Sequence, residues 1–177
     1  MRMMSRLGLV LAAVVLGVSG GRADEEPVPL DKLPKAISDA VKKRFPKAEL
    51  VEAAKETSKD GDKEKVEYEV SLKDGGSKID VMLTPEGVIT LIEKEIAAKD
   101  LPKAVADALS EKYPKAAYTT VEELIKVTDG KEALDVYEVL LVTADKKTFE
   151  VKVTPAGKIT EAEEKKEEKK EEKKDKE

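Results

Sequence analysis

The chain has no histidine, no cysteine and no tryptophan, and among its 177 residues only four tyrosines and two phenylalanines. Without histidine there is no Ser-His-Asp triad, and without cysteine no thiol nucleophile. With neither, the zinc and haem sites built on imidazole or thiolate are excluded as well. A phosphate-cradling glycine loop is also missing. Gly75-Gly76 stands between two strand-like stretches rather than ahead of a helix, so it reads as a turn. Carboxylates are abundant, but sugar hydrolysis needs a pair facing each other across a cleft, usually beside aromatic platforms, and the few aromatics here fall on core patterns. Asp60-Gly61-Asp62-Lys63-Glu64 resembles a calcium loop in composition only, because the spacing and the closing glutamate are absent; a charged hairpin turn is the simpler reading. These absences point to a non-enzymatic protein with no cofactor and no metal centre.

Long apolar runs are scarce too. The one that exists extends from Leu7 to Val18, preceded by Arg2 and Arg6 and followed by Gly21-Arg22-Ala23. In helical form it spans about 18 Å, short of a bilayer core, so residues 1–23 read as an export signal peptide, with an uncleaved anchor as the rival reading. The formal charge is −5, and loss of the three arginines in that segment leaves the remainder near −8. A balance so acidic argues against nucleic acid and anionic membrane surfaces as partners, and no membrane span is expected after cleavage. An exported chain without cysteine has no disulfides, so apolar packing alone must hold it.

The sequence then repeats itself. Leu33-Pro34-Lys35-Ala36 through Phe45-Pro46-Lys47-Ala48 returns 68 residues later as Leu101-Pro102-Lys103-Ala104 through Tyr113-Pro114-Lys115-Ala116. Tyr68-Glu69-Val70 returns as Tyr137-Glu138-Val139, and Thr84-Pro85-Glu86-Gly87 as Thr154-Pro155-Ala156-Gly157. Prolines, glycines and aromatics recurring in register describe one supersecondary unit used twice. The resulting division is an extended lead-in over 24–32, repeats over 33–98 and 99–162, and a charged tail over 163–177.

Within each repeat the apolar period changes. Leu33, Ile37, Val41 and Phe45 fall four apart and predict a helix closed by Pro46; Leu101, Val105, Leu109 and Tyr113 predict its counterpart closed by Pro114. Alternation follows, with Val66, Tyr68, Val70 and Leu72 on the dry side of a strand and Glu67, Glu69 and Ser71 on the wet side. Asp74-Gly75-Gly76 turns the chain into a strand carrying Ile79, Val81 and Leu83, and Thr84 to Gly87 turns it into another starting at Val88-Ile89. Tyr137, Val139 and Leu141, then Phe149, Val151 and Val153, then Ile159 repeat the pattern. Tyr68 and Tyr137 accordingly read as core rather than binding anchors. The stretches Ala48 to Thr57 and Ala116 to Thr128 are ambiguous between helix and strand and are read as first strands, because Asp60-Gly61 and Asp129-Gly130 follow them. The fold class is therefore α+β: two repeated units, each one helix packed on an antiparallel sheet of about four strands.

The outer faces differ between repeats. Val136, Leu140 and Val142 make the second repeat's middle strand apolar on the side where the first is polar. Either that side packs against the other unit or its linker, or these three residues form a partner-binding face. Beyond Glu161, Glu-Glu-Lys-Lys repeats place like charges at i+4 and oppose a stable helix, leaving a solvated tail or an electrostatic tether.

The repeated Leu-Pro-Lys-Ala, Phe/Tyr-Pro-Lys-Ala, Tyr-Glu-Val and Thr-Pro-x-Gly-x-Ile motifs resemble those of the PepSY-like, beta-lactamase-inhibitor-like family of exported proteins, over about residues 33 to 98 and 101 to 162. The resemblance implies a helix-on-sheet unit in the cell envelope and relatives that regulate or inhibit enzymes by presenting a sheet face and loops. No binding residue carries over, since the matched positions build the fold. The functional expectation is a non-enzymatic binding module for an envelope protein, such as a hydrolase or peptidase; a small-ligand or metal-ion binder and a structural envelope component are the alternatives.

Overall fold

The computed structural model describes residues 24–60 and 63–165. The expected signal peptide at 1–23, the glycine of the Asp60-Gly61 turn and the tail from 166 onward lie outside the described residues. Both helices begin immediately after a proline and are ten residues long: α1 is Lys35–Arg44 and α2 is Lys103–Lys112. Pro34 and Pro102 have extended backbones and occupy the cap position, so Leu33 and Leu101 precede the helices rather than open them, yet both are buried in the core. Phe45 and Tyr113 end the helices with N–H groups donating to the Val41 and Leu109 carbonyls at 2.8 Å. Each is followed by a proline, which disfavours helical angles in the residue before it.

Among the described residues nine strands form one antiparallel sheet in simple sequence order. They are β1 Asp24–Pro27, β2 Glu49–Asp60, β3 Lys63–Asp74, β4 Ser77–Leu83, β5 Ile89–Glu95, β6 Ala117–Thr128, β7 Lys131–Val142, β8 Thr148–Val153 and β9 Ile159–Lys165. The ambiguous stretches are thus strands, β2 and β6. The lead-in contributes the short margin strand β1, and β9 continues three residues into the stretch read as tail. A helix followed by four strands occurs twice, with ladder irregularities at matching places: Leu50/Glu52 and Tyr118/Thr120, then Met82/Leu83 and Lys152/Val153. The halves do not keep separate sheets. β5 pairs with β6 from Leu91↔Lys126 to Glu95↔Glu122 and makes the sheet continuous.

Both helices cover the same side of the sheet. α1 lays Ile37 and Val41 on Val70, Leu72, Val81 and Leu83, and α2 lays Val105 and Leu109 on Val139, Leu141, Val151 and Val153. All are essentially without solvent contact, and each such side chain contributes roughly 1.5–3 kcal/mol of apolar transfer energy. The two cores interlock. Ile125 and Val127 of β6 pack against the first core, and Arg44 at the end of α1 forms a two-pronged ion pair, 2.6 and 2.9 Å, with Glu132 at the start of β7. Gly87 and Gly157 close the last turn of each half at φ 82° and 84°, with backbone N–H groups donating to Thr84 and Thr154. A Cβ at either glycine would lie 2.5 Å from the carbonyl oxygen of Ala36 or Ala104, so the turn presses directly on the helix.

Candidate functional site

No helix covers the other side of the sheet among the described residues, and strand alternation decides what it displays. β3 places Glu69 and Ser71 there, β4 Asp80 and Met82, β5 Leu91 and Glu93, β6 Glu122 and Leu124, β7 Val136 and Glu138, and β8 Glu150 and Lys152. Six consecutive strands therefore contribute one buried carboxylate each. Asp80 is directly opposite Glu93, and Glu122 opposite Glu138. The remaining steps of the row are diagonal, at neighbouring ladder positions. Beside it runs an apolar row, Met82, Leu91, Leu124 and Val136, packed side to side across four strands.

The sequence placed Glu69 and Ser71 on a wet face, but both are buried, at 7% and 2% exposure. The reason is lateral: in a wide sheet the middle strands are shaded by their neighbours' side chains even with no layer above. Glu93 is 4% exposed and Glu138 likewise. Burial pushes the Glu93 carboxyl up to about 9, reinforced by the negative neighbours Glu122, Glu138 and Asp80. Burial raises Glu69 to about 8 and both Glu122 and Glu138 to about 7, again with carboxylate neighbours adding to the effect. Ser71 donates a hydrogen bond to Asp80, and Lys78 pairs with Asp80 at 2.9 Å. Lys152 sits 3.2 Å from Glu161 and 3.6 Å from Glu138, the latter too long for a hydrogen bond. Lys165 pairs with Glu150 at 2.9 Å. The lysines thus serve the flanks of the row. Glu93 Oε1 and Glu138 Oε2 are buried and have no hydrogen-bond partner among the described residues.

Two hollows border the face. A groove of about 550 Å³ lies between β1 with its following turn and the β2–β3 pair, with Pro27, Leu30 and Ala54 as apolar wall and Glu25, Glu52 and Glu69 as acid. A smaller hollow of about 180 Å³ lies over Leu91, Leu124 and Val136. Among the described residues no three carboxylates converge in an arrangement that holds a metal ion.

Val136, Leu140 and Val142 all lie on this open side of β7. Val136 is buried in the apolar row, while Leu140 and Val142 are half-buried further along the strand. The halves join edge to edge through β5 and β6, and across that seam Val136 shares the apolar row with Met82 and Leu91 of the first half. The carboxylate row has almost no signature in the sequence. Its one legible trace was Tyr-Glu-Val occurring twice, since Glu69 and Glu138 are matched positions in the row.

The chain matches the family described as beta-lactamase-inhibitor-like, PepSY-like over residues 22–91 and again over 66–161. Among solved structures it is similar to a DUF2874 family protein from Bacteroides uniformis, with 18% identity, 74% of this chain and 88% of that one covered, and a TM-score of 0.58. It is similar also to a BLIP-like protein from Bacteroides fragilis, with 20% identity, 74% and 85% covered, and a TM-score of 0.55. A protein from Bacteroides eggerthii described as periplasmic shares 16% identity, with 74% and 88% covered and a TM-score of 0.59. At these identities the likeness establishes the fold. No curated protein matches the chain.

Proposed function

Because the chain belongs to the beta-lactamase-inhibitor-like, PepSY-like family, we propose that it is a non-enzymatic, exported protein-binding module that meets an envelope protein through the open side of its sheet, as a regulator or inhibitor of a hydrolase or peptidase. The observation that carries this reading is the one-sided placement of the helices. Both cover one face, and the other presents an apolar row bordered by carboxylates and the half-buried Leu140 and Val142. Such a surface has an apolar centre and a charged border, the usual anatomy of a protein interface. The lack of histidine and cysteine supports a binding rather than a catalytic role. An exported location is supported by the neighbour described as periplasmic, and no helix among the described residues is long and apolar enough to cross a membrane.

A photo-crosslinking residue at Leu140 tests the reading in the envelope of the producing cell. The expected result is one discrete crosslinked protein from position 140 and none from the exposed Lys42 of α1. Equal labelling from both positions, or none from Leu140, would overturn it. The groove between β1 and β3 favours a second reading, a small ligand with an apolar body. A ligand that raises the melting temperature of the protein, and fails to do so in Ala54→Trp, would select it.

A further inference from the structure

The middle of the carboxylate row is what the fold leaves unexplained. Among the described residues Lys78, Lys152 and Lys165 pair with acids toward its ends, whereas no ion pair reaches Glu93 or Glu122. Glu93 is 4% exposed, and no group among the described residues donates to its Oε1. From β4 it faces Asp80 and Lys78, from β6 Glu122 and Lys126; Glu138 lies beyond on β7 and Glu95 on its own strand. Lys78 and Lys126 are committed to Asp80 and Asp135 at 2.9 and 2.8 Å. A buried acceptor among carboxylates, with the nearby lysines of the described residues engaged elsewhere, is open to a donor from outside.

Resting on the binding role given to this face, we propose that the row is a subsite for one lysine or arginine side chain from a partner protein, its cation at Glu93 and its aliphatic stem along Leu91, Met82 and Leu124. Two features select this occupant over an inorganic cation. The buried carboxylates are spread over six strands that lie about 4.8 Å apart, rather than converging on a point. The apolar row lies directly alongside, Leu91 two residues from Glu93 and Leu124 opposite it, which suits a side chain with an apolar stem and a charged tip. Charge complementarity extends to the whole molecule, whose formal charge is −5. Burial pushes the Glu93 carboxyl up to about 9, and an arriving cation favours its ionised form, so binding releases a proton.

An NMR titration of the full chain with the blocked peptide acetyl-Leu-Lys-Leu-amide tests this, with the norleucine counterpart and calcium chloride as separate probes. The expected result is that the lysine peptide alone binds and shifts amides of β4 to β7. Its affinity rises up to tenfold per pH unit between pH 6 and 8, the signature of one proton released. Glu93→Gln weakens it at least tenfold, Glu122→Gln weakens it too, and the exposed Glu111→Gln on α2 leaves it unchanged. Equal binding of the norleucine peptide, preferential binding of calcium, or pH-independent lysine binding that survives in both row variants would each overturn the subsite. If the subsite fails while crosslinking from Leu140 still finds its protein, the binding role of the face stands; if crosslinking fails, that role falls whatever the peptide does.

Discussion

Ala36 and Ala104 leave no space above them for a side chain at Gly87 and Gly157. Gly87→Ala and Gly157→Ala each introduce a Cβ at about 2.5 Å from a helix carbonyl, on a backbone already at positive φ. The expected cost is about 2–4 kcal/mol apiece, read from urea unfolding. Gly75→Ala, whose added Cβ meets nothing within 4 Å, should cost only about 1 kcal/mol. The carboxylates give a second residue-scale prediction. Glu93 and Glu69 keep protons in the folded chain up to about 9 and 8, from an ordinary value of 4.5. Between those values the folded state binds more protons than the unfolded one, so this contribution is fully present below about pH 4.5 and is lost as pH rises through 8 and 9. Melting temperature should fall from pH 5 to pH 9, and Glu93→Gln should flatten that decline; an unchanged slope in the variant would remove Glu93 as its cause. The glycines were legible in the sequence because Thr-Pro-x-Gly occurs twice. The carboxyl row was not, since single glutamates at alternating positions look alike whether a strand lies at a margin or in the middle.

At the level of elements, the helices and most strands could be read from spacing. Proline fixed both helix ends to within two residues, and Asp129-Gly130, with φ 52° and 71°, makes the tight turn its sequence implies. β1 was hidden by Pro27 and Pro29, which suggest a free lead-in, although a strand at a sheet margin tolerates proline. The seam between β5 and β6 was invisible for a different reason: which strand pairs with which is settled by packing across the chain rather than by local pattern. That seam carries β6 over the neighbouring core. Ile125→Ala, a substitution in the second half, should therefore destabilise the first core, by about 2–3 kcal/mol, with loss of amide protection in α1 as the readout. Arg44→Ala removes a largely exposed pair and should cost no more than about 1 kcal/mol.

For the whole molecule, one sheet and interlocking cores imply that the halves unfold together. Three of the four tyrosines, Tyr113, Tyr118 and Tyr137, belong to the second half, so tyrosine emission reports mainly on that half while far-ultraviolet circular dichroism reports on both. The two signals should give coincident urea transitions; a separated second transition would show that the halves melt independently. The sheet also has two margins, and each is guarded. β1 is four residues long and ends in Pro27, and β9 carries Glu161, Glu163, Glu164 and Lys165. Ladders this broad invite further chains to add along their sides. A short, proline-ended strand on one side and a palisade of charge on the other make that growth unfavourable, so crowded copies should stay separate instead of seeding fibrils.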